Sequence, residues 1–323
     1  MCSVSKPLIS VVIPAYNERD NIDELGRRLG LVFDAESAYD FEAILVENGS
    51  GDDTFEMAMA LHDRDPRFKV VQLSRNFRMD GGLTAGLNHA TGDAAVVMAG
   101  DLQDPPEVIP QFIRKWEDGY EVVYQIVTER QGTGPIRRMN SQLFYIFADK
   151  LTAGTIPKNV SDFRLVDRKV YETVNTMEER NRFVRGLFAW VGFKSIGVEA
   201  PRAPREAGVS GAHTLKVLDL AMKGIFAHSY MPLKFIFAFG LVMSGLSFIA
   251  LMVMAIWFIA FGVPFAGFGT IVSVIVLLFG ILFTLLGLMA EYIGLIYEEV
   301  KQRPNFVVRT EVGFDNDENN AGR

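Results

Sequence analysis

Between Lys234 and Glu291 the chain carries no Asp, Glu, Lys, Arg or His: Phe235 through Ala290 is uncharged and largely apolar. A bilayer core takes about 20 residues of helix, so the run is too long for a single crossing. Gly262, Pro264, Gly267 and Gly269 break it near its middle, as such residues do. It reads as two transmembrane helices, about Leu233–Phe261 and Phe268–Tyr292, joined by a short uncharged hairpin. A buried helical pair in a soluble core is the competing reading, and the length argues against it. Basic residues flank the run: Arg202, Arg205, Lys216, Lys223 and Lys234 precede it, and Lys301, Arg303 and Arg309 follow. Such flanking charge predicts a multi-pass protein of the inner or plasma membrane with both termini and the main domain cytoplasmic. Just upstream, over Thr214–Ala227, Leu215, Leu218, Met222, Ile225 and Phe226 share one helical face. That segment is either a core helix or, given its place beside the membrane run, a helix lying in the interface.

The first 200 residues have another character. Short β-branched runs at Ser10–Ile13, Phe41–Val46, Lys69–Leu73, Ala94–Met98 and Glu121–Val127 alternate with helical patterns at Asn21–Phe33, Thr54–Asp63, Gly82–Ala90 and Val108–Asp118. This rhythm predicts an α/β fold with a mostly parallel sheet covered on both faces. Further on, Arg137–Leu151 also has helical spacing. The net charge is −7, with no clustered basic field, which argues against a nucleic-acid partner. Cys2 is the single cysteine, so an intrachain disulfide is excluded and a reducing compartment is suited. Leu8–Ala15 reads as a buried strand rather than a signal peptide, being short, holding Pro14 and leading into charged residues. The tail Glu311–Arg323 is polar and acidic and is expected to be disordered.

In parallel sheets ligands bind at the carboxyl ends of the strands, so chemistry is sought in the loops that follow them. After the first strand comes Pro14-Ala15-Tyr16-Asn17-Glu18; Tyr16 suits a base, and Glu18 accepts from base or ribose, though a plain turn has the same composition. After the second comes Glu47-Asn48-Gly49-Ser50-Gly51-Asp52-Asp53, either part of the same crevice or simply a turn and helix cap. After the third comes Ser74–Asp80, and after the fourth Gly100-Asp101-Leu102-Gln103-Asp104-Pro105-Pro106. Asp101 and Gln103, two apart in extended chain, are expected on one side, where hard oxygen donors suit Mg²⁺ or Mn²⁺. A capped turn is the bland alternative.

These loops, with Leu73-Ser74-Arg75-Asn76-Phe77, Ser161-Asp162-Phe163-Arg164-Leu165, Arg182-Phe183-Val184-Arg185-Gly186-Leu187 and Trp190-Val191-Gly192-Phe193, resemble the family-2 glycosyltransferases of GT-A fold. The resemblance is greatest to the branch acting on polyisoprenyl phosphates, the dolichyl-phosphate mannose synthase and bacterial undecaprenyl-phosphate glucosyltransferase type, and it extends from about Leu8 to Arg309. It implies a Rossmann-like GT-A catalytic domain over 1–200, a juxtamembrane amphipathic segment over 201–232, two transmembrane helices over 233–293 and a cytoplasmic tail over 294–323. It further implies that Pro14, Tyr16, Glu18, Glu47 and Asp101 hold a nucleotide-sugar, a UDP-sugar rather than a GDP-sugar, with UDP-glucose the leading expectation. Asp101 and Gln103 would hold the metal and diphosphate, and Asp101 and Asp162 would be catalytic. Arg137, Arg164, Arg182 and Arg185 would contact donor or acceptor phosphates. The reading of the residues alone leaves Asp162 open to an ion pair with Arg164 or Arg168, and Arg182 and Arg185 to a solvated face. The implied reaction is sugar transfer to a polyisoprenyl phosphate with inversion, by a homo-oligomer such as a tetramer. A catalytically silent membrane scaffold and a processive polysaccharide synthase are the alternatives. Three departures from the family pattern stand out: Ala99 where an Asp is usual, Glu47-Asn48 in place of Asp-Asp, and Gly211-Ala212 in place of Lys-Tyr.

Overall fold

The computed structural model describes residues 6–128, 160–180, 182–201 and 267–314, with scattered positions between 239 and 261. The chain divides into two compact units, Met1–Val217 with Arg303–Arg323, and Leu218–Gln302.

The first unit is built on an eight-stranded sheet. Its strands are β1 (Leu8–Ala15), β2 (Asp40–Glu47), β3 (Phe68–Leu73), β4 (Ala94–Val97), β5 (Val122–Val127), β6 (Val160–Asp167), β7 (Ser195–Ala200) and β8 (Val308–Val312). Their order is β7-β5-β6-β4-β1-β2-β3-β8. β1 lies parallel between β2 and β4, and β3 extends the parallel set. β6 runs antiparallel between β4 and β5, and β8 closes the far edge antiparallel to β3. The sheet is therefore mixed, more so than the alternating pattern predicts.

Central strands covered on both faces must be apolar at every position rather than every second one. Ile9, Val11, Val12 and Ile13 of β1 are accordingly all buried. Successive side chains point to opposite faces and feed two cores. Val11 and Ile13 pack with Ile22, Leu25 and Leu29 of α1 (Arg19–Ala35), Leu61 of α2 (Thr54–Arg64) and Phe112 of α4 (Ile109–Glu117). Val12 packs with Leu83 and Leu87 of α3 (Arg78–His89), Val170 of α5 (Arg168–Asn175) and Leu187 of α6 (Val184–Trp190). Phe112 meets Phe163 of β6 at 4.8 Å between ring centres, a tilted pairing that fixes α4 against the sheet.

The second unit contains α7, Phe268–Lys301, of 34 residues. Its segment Leu278–Lys301 is long and apolar enough to cross a membrane. At 1.5 Å per residue α7 spans about 51 Å, against about 30 Å for a bilayer core. It outruns the expected end at Tyr292 because Ile293–Lys301 holds no proline and its single glycine, Gly294, is tolerated within the helix; the helix stops where Gln302 turns left-handed, at φ 49°. Of the expected first arm of the hairpin, only scattered positions between Phe239 and Phe261 are described, and these are helical. The segments Arg137–Leu151 and Thr214–Ala227 lie outside the described residues, and so does Arg137 itself. The tail expectation needs correction at its start: Glu311 and Val312 pair with Val71 and Val70 in the sheet. Paired backbone and the apolar side chains of Val308, Val312 and Phe314 hold what charge alone marked as loose.

Candidate active site

The loops at the carboxyl ends of β1, β2, β3 and β4, with Asp162 of β6, enclose a cleft of about 390 Å³. Its lining includes Pro14, Tyr16, Glu18, Asn48, Asn76, Arg78, Asp101, Gln103, Asp104 and Asp162.

The β1 loop is laced to the β2 loop. The Asn17 amide donates to Ser50 Oγ at 3.0 Å, the Gly51 amide to Asn17 Oδ1 at 2.9 Å, and the Glu18 amide to Thr54 Oγ1 at 2.9 Å. Tyr16 is left 46% exposed at the rim, placed for a planar ring to stack on it. Glu18 Oε2 accepts from Asn21 Nδ2 at 2.5 Å.

In the β2 loop the structure separates two residues that the sequence groups together. Glu47 is 2% exposed and is not among the residues lining the cleft; its Oε1 takes the Ser50 amide and closes the turn. Asn48 does line the cleft, and it also organises the next loop: Nδ2 donates to Arg78 O at 2.7 Å and Oδ1 accepts the Phe77 amide at 2.9 Å. Gly49 makes this approach possible. It has φ +66°, and a Cβ there would lie 2.5 Å from the Arg75 carbonyl carbon.

After β4 the chain does not continue extended, as the expected placement of Asp101 and Gln103 assumed. Leu102 is left-handed at φ 57°, and Asp101 Oδ1 accepts the Gln103 amide at 3.2 Å. The tight turn, which Asp favours by bonding forward to its own backbone, still brings both side chains to the cleft. Asp101 is 5% exposed, at the floor.

Asp162 pairs with neither Arg164 nor Arg168. Its carboxylate takes Arg185 Nε at 2.7 Å on Oδ1 and Nη2 at 2.6 Å on Oδ2. Arg164 is buried; it donates to the Asp162 and Ser161 carbonyls at 3.2 and 3.1 Å and lies 5.2 Å from the Phe188 ring centre. Burial pushes its guanidinium down to about 10, with Asp162 opposing the fall. Arg182 donates to the Val174 and Met177 carbonyls, both at 2.8 Å, which caps the last turn of α5; burial lowers its pKa as well. Asp80, at the end of the Ser74–Asp80 loop and not singled out within it from the sequence, accepts the Val184 amide at 3.0 Å, one residue before Arg185. Burial raises its pKa. Both Arg78 and Asp80 lie in the Ser74–Asp80 loop that follows β3, but no spacing rule singles them out within it, because contacts with Asn48 and Val184 help to set their places.

A domain of this topology, with its polar cleft at the switch-side strand ends, is defined by family: residues 10–174 match the family model Glycosyl transferase family 2, and the chain belongs to that family. Relatives match over nearly their whole length. The uncharacterized glycosyltransferase YkcC of Bacillus subtilis (strain 168) is 39% identical over 95% of this chain and 95% of its own. The SfII prophage-derived bactoprenol glucosyl transferase of Shigella flexneri is 36% identical over 93% of this chain and 97% of its own. Among solved structures, glucosyl-3-phosphoglycerate synthase from Mycobacterium tuberculosis is similar at 21% identity and a TM-score of 0.46, over 69% of this chain and 78% of its own.

Proposed function

We propose that this chain transfers glucose from UDP-glucose to a polyprenyl phosphate, undecaprenyl phosphate in a bacterial membrane, with inversion at the anomeric carbon. The observation that carries the reading is that relatives named bactoprenol glucosyl transferases align with 93–94% of the chain, so the likeness includes the apolar unit as well as the cleft. A polyprenyl chain stays in the bilayer, and a domain tethered by membrane helices is what brings a water-facing cleft to its phosphate.

The cleft supports the chemistry. The acceptor phosphate, with a second pKa near 6, is largely dianionic at neutral pH and needs no strong base. Its oxygen forms a bond to the anomeric carbon as the bond from that carbon to the diphosphate breaks, and UDP leaves. Asp162, held on both oxygens by Arg185, orients the acceptor side. Tyr16, Pro14 and Glu18 receive the nucleotide at the rim. Glu47 acts on the nucleotide only through the turn it closes.

Mg²⁺ or Mn²⁺ fits the donors at the floor. Asp101 and Gln103 offer one carboxylate and one amide oxygen, and among the described residues no group of three His, Cys, Asp or Glu forms a cage. An ion that takes most of its ligands from a diphosphate and water needs no cage. When bound, it offsets the charge of the departing diphosphate.

The arrangement proposed is multi-pass with both termini cytoplasmic; the basic residues on both flanks of the uncharged run and the length of α7 speak for it. A homo-oligomer, a tetramer in the first instance, completes the proposal. The test is a panel of radiolabelled UDP- and GDP-sugars, offered to the purified protein with undecaprenyl phosphate, with and without Mg²⁺ or Mn²⁺. Label from UDP-glucose should enter the organic phase only with metal. No lipid-linked label from any donor would end the reading.

A further inference from the structure

Two phosphate-bearing substrates must share a cleft whose lining carries four carboxylates: Glu18, Asp101, Asp104 and Asp162. Among the described residues the lining holds one cationic side chain, Arg78. Of the arginines that the sequence marks for phosphate, Arg137 lies outside the described residues, and the other three have partners within the protein. Arg164 and Arg182 donate to backbone carbonyls, and Arg185 is engaged with Asp162.

Arg78 also holds an unusual backbone. Its φ is +64°, a conformation that glycine takes freely and arginine does not. Two asparagines impose it. The Arg78 amide donates to Asn76 Oδ1 at 2.7 Å, and the Arg78 carbonyl accepts from Asn48 Nδ2 at 2.7 Å. Strain of this kind persists where the surroundings over-determine it, and such sites cluster at ligand clamps. The residue opens α3, a 12-residue helix, so the positive end of the helix dipole adds to its own charge. Its side chain is exposed and makes no hydrogen bond or ion pair with any described residue. A guanidinium presented in this way, beside a helix start and among carboxylates, is suited to a phosphate oxyanion.

We propose that Arg78 is a phosphate-binding residue of this cleft, contacting either the donor diphosphate or the acceptor phosphate. The assignment rests on the glycosyl-transfer reading above and names a residue for it.

The test uses the full chain in detergent and the variants Arg78→Gly and Arg78→Lys. Glycine removes the charge and relieves the backbone, so its thermal midpoint should equal or exceed that of the wild type. Calorimetric titration with UDP, UMP and uridine forms one arm; the KM for undecaprenyl phosphate forms the other. If Arg78 serves the donor, Arg78→Gly weakens UDP about tenfold, or about 1.4 kcal/mol, and leaves uridine unchanged. If it serves the acceptor, UDP is unaffected and the KM for the lipid phosphate rises about tenfold. Lysine should recover part of either loss. Wild-type values in both arms would overturn the assignment, as would a lowered midpoint with equal losses for UDP and uridine, which marks a structural residue. A wild-type protein that transfers no sugar defeats the parent reading instead.

Discussion

Asp162 and Arg185 meet through two parallel hydrogen bonds of 2.7 and 2.6 Å, and that geometry limits what each does. Both carboxylate oxygens of Asp162 are engaged by Arg185, which sets the direction in which it points; in the proposed reaction that suits Asp162 to orienting the acceptor. Lysine is a point charge and cannot reproduce the planar fork. Arg185→Lys is expected to lower kcat about 10- to 100-fold, the value of one charge-assisted hydrogen bond of about 1.5–3 kcal/mol, with UDP affinity unchanged; kcat and calorimetric titration check both halves. Asp80 sits behind this pair. Burial lifts its pKa, and Asp162 adds to the rise, while the Val184 amide and the arginines oppose it. A carboxyl that holds its proton more tightly when folded contributes stability below its unfolded value, about 4, and loses it as pH rises through the raised folded value. Asp80→Asn keeps an oxygen for the Val184 amide and removes the titration. Its thermal midpoint should therefore gain on the wild type as pH is raised from about 4 upward through that window, and a constant gap across the series would count against the account.

At the scale of elements, one carboxylate ties together the strand ends remote from the cleft. Glu42 of β2 accepts from Ser10 Oγ of β1 at 2.5 Å, from Lys69 Nζ of β3 at 2.7 Å, and from the Thr91 amide and hydroxyl, ahead of β4, at 2.9 and 2.8 Å. Burial would raise its pKa, but these donors together hold it below the ordinary value. Its contribution is thus present above the unfolded pKa and lost as pH falls through the lowered folded one. Glu42→Gln should cost about 2–3 kcal/mol at neutral pH, since it strands a partly buried lysine; chemical or thermal unfolding measures it. β1 to β5 are legible in the sequence within a few residues, because strands buried on both faces must be unbroken apolar runs. β6, β7 and β8 are not: Val160–Asp167 carries Asp162, Arg164 and Asp167, and Val308–Val312 carries Arg309 and Glu311, so neither stands out from loop. The cleft is legible in the same uneven way. Pro14, Tyr16, Glu18, Asp101, Gln103 and Asp162 follow or form strands and reach the cleft. Glu47 turns inward because its oxygen accepts the Ser50 amide, and Arg78 reaches the cleft because Asn76, two residues earlier, and Asn48 of the β2 loop set its backbone. Contacts between loops leave no periodic trace.

For the whole molecule, connectivity restricts the topology more tightly than hydropathy does. The chain leaves the sheet-bearing unit after Val217 and re-enters it at Arg303. On re-entry Val308–Val312 pairs with β3, the Ser74 amide donates to Val307 O at 2.9 Å, and Asn305 Nδ2 donates to Glu179 O at 3.1 Å. A segment whose two ends both belong to one folded unit crosses a membrane an even number of times. In the proposed topology α7, long and apolar enough to cross, is one crossing and the uncharged stretch before it supplies another. On the same proposal, the basic residues on both flanks favour the cytoplasm for the shared side. A cysteine placed at Asp315 should therefore react with a membrane-impermeant maleimide only in inside-out vesicles, and one placed at Phe265 only in right-side-out cells or vesicles, with Cys2 replaced by serine throughout. Labelling of both positions from one side would mean that the apolar unit does not cross, and labelling of Asp315 only from outside would place the sheet-bearing unit on the other side. The pairing of β8 has its own check. Strand β8 covers the β3 edge, and an open edge invites pairing with other chains, so a variant lacking 303–323 should aggregate or melt at lower temperature even where the membrane anchor is intact.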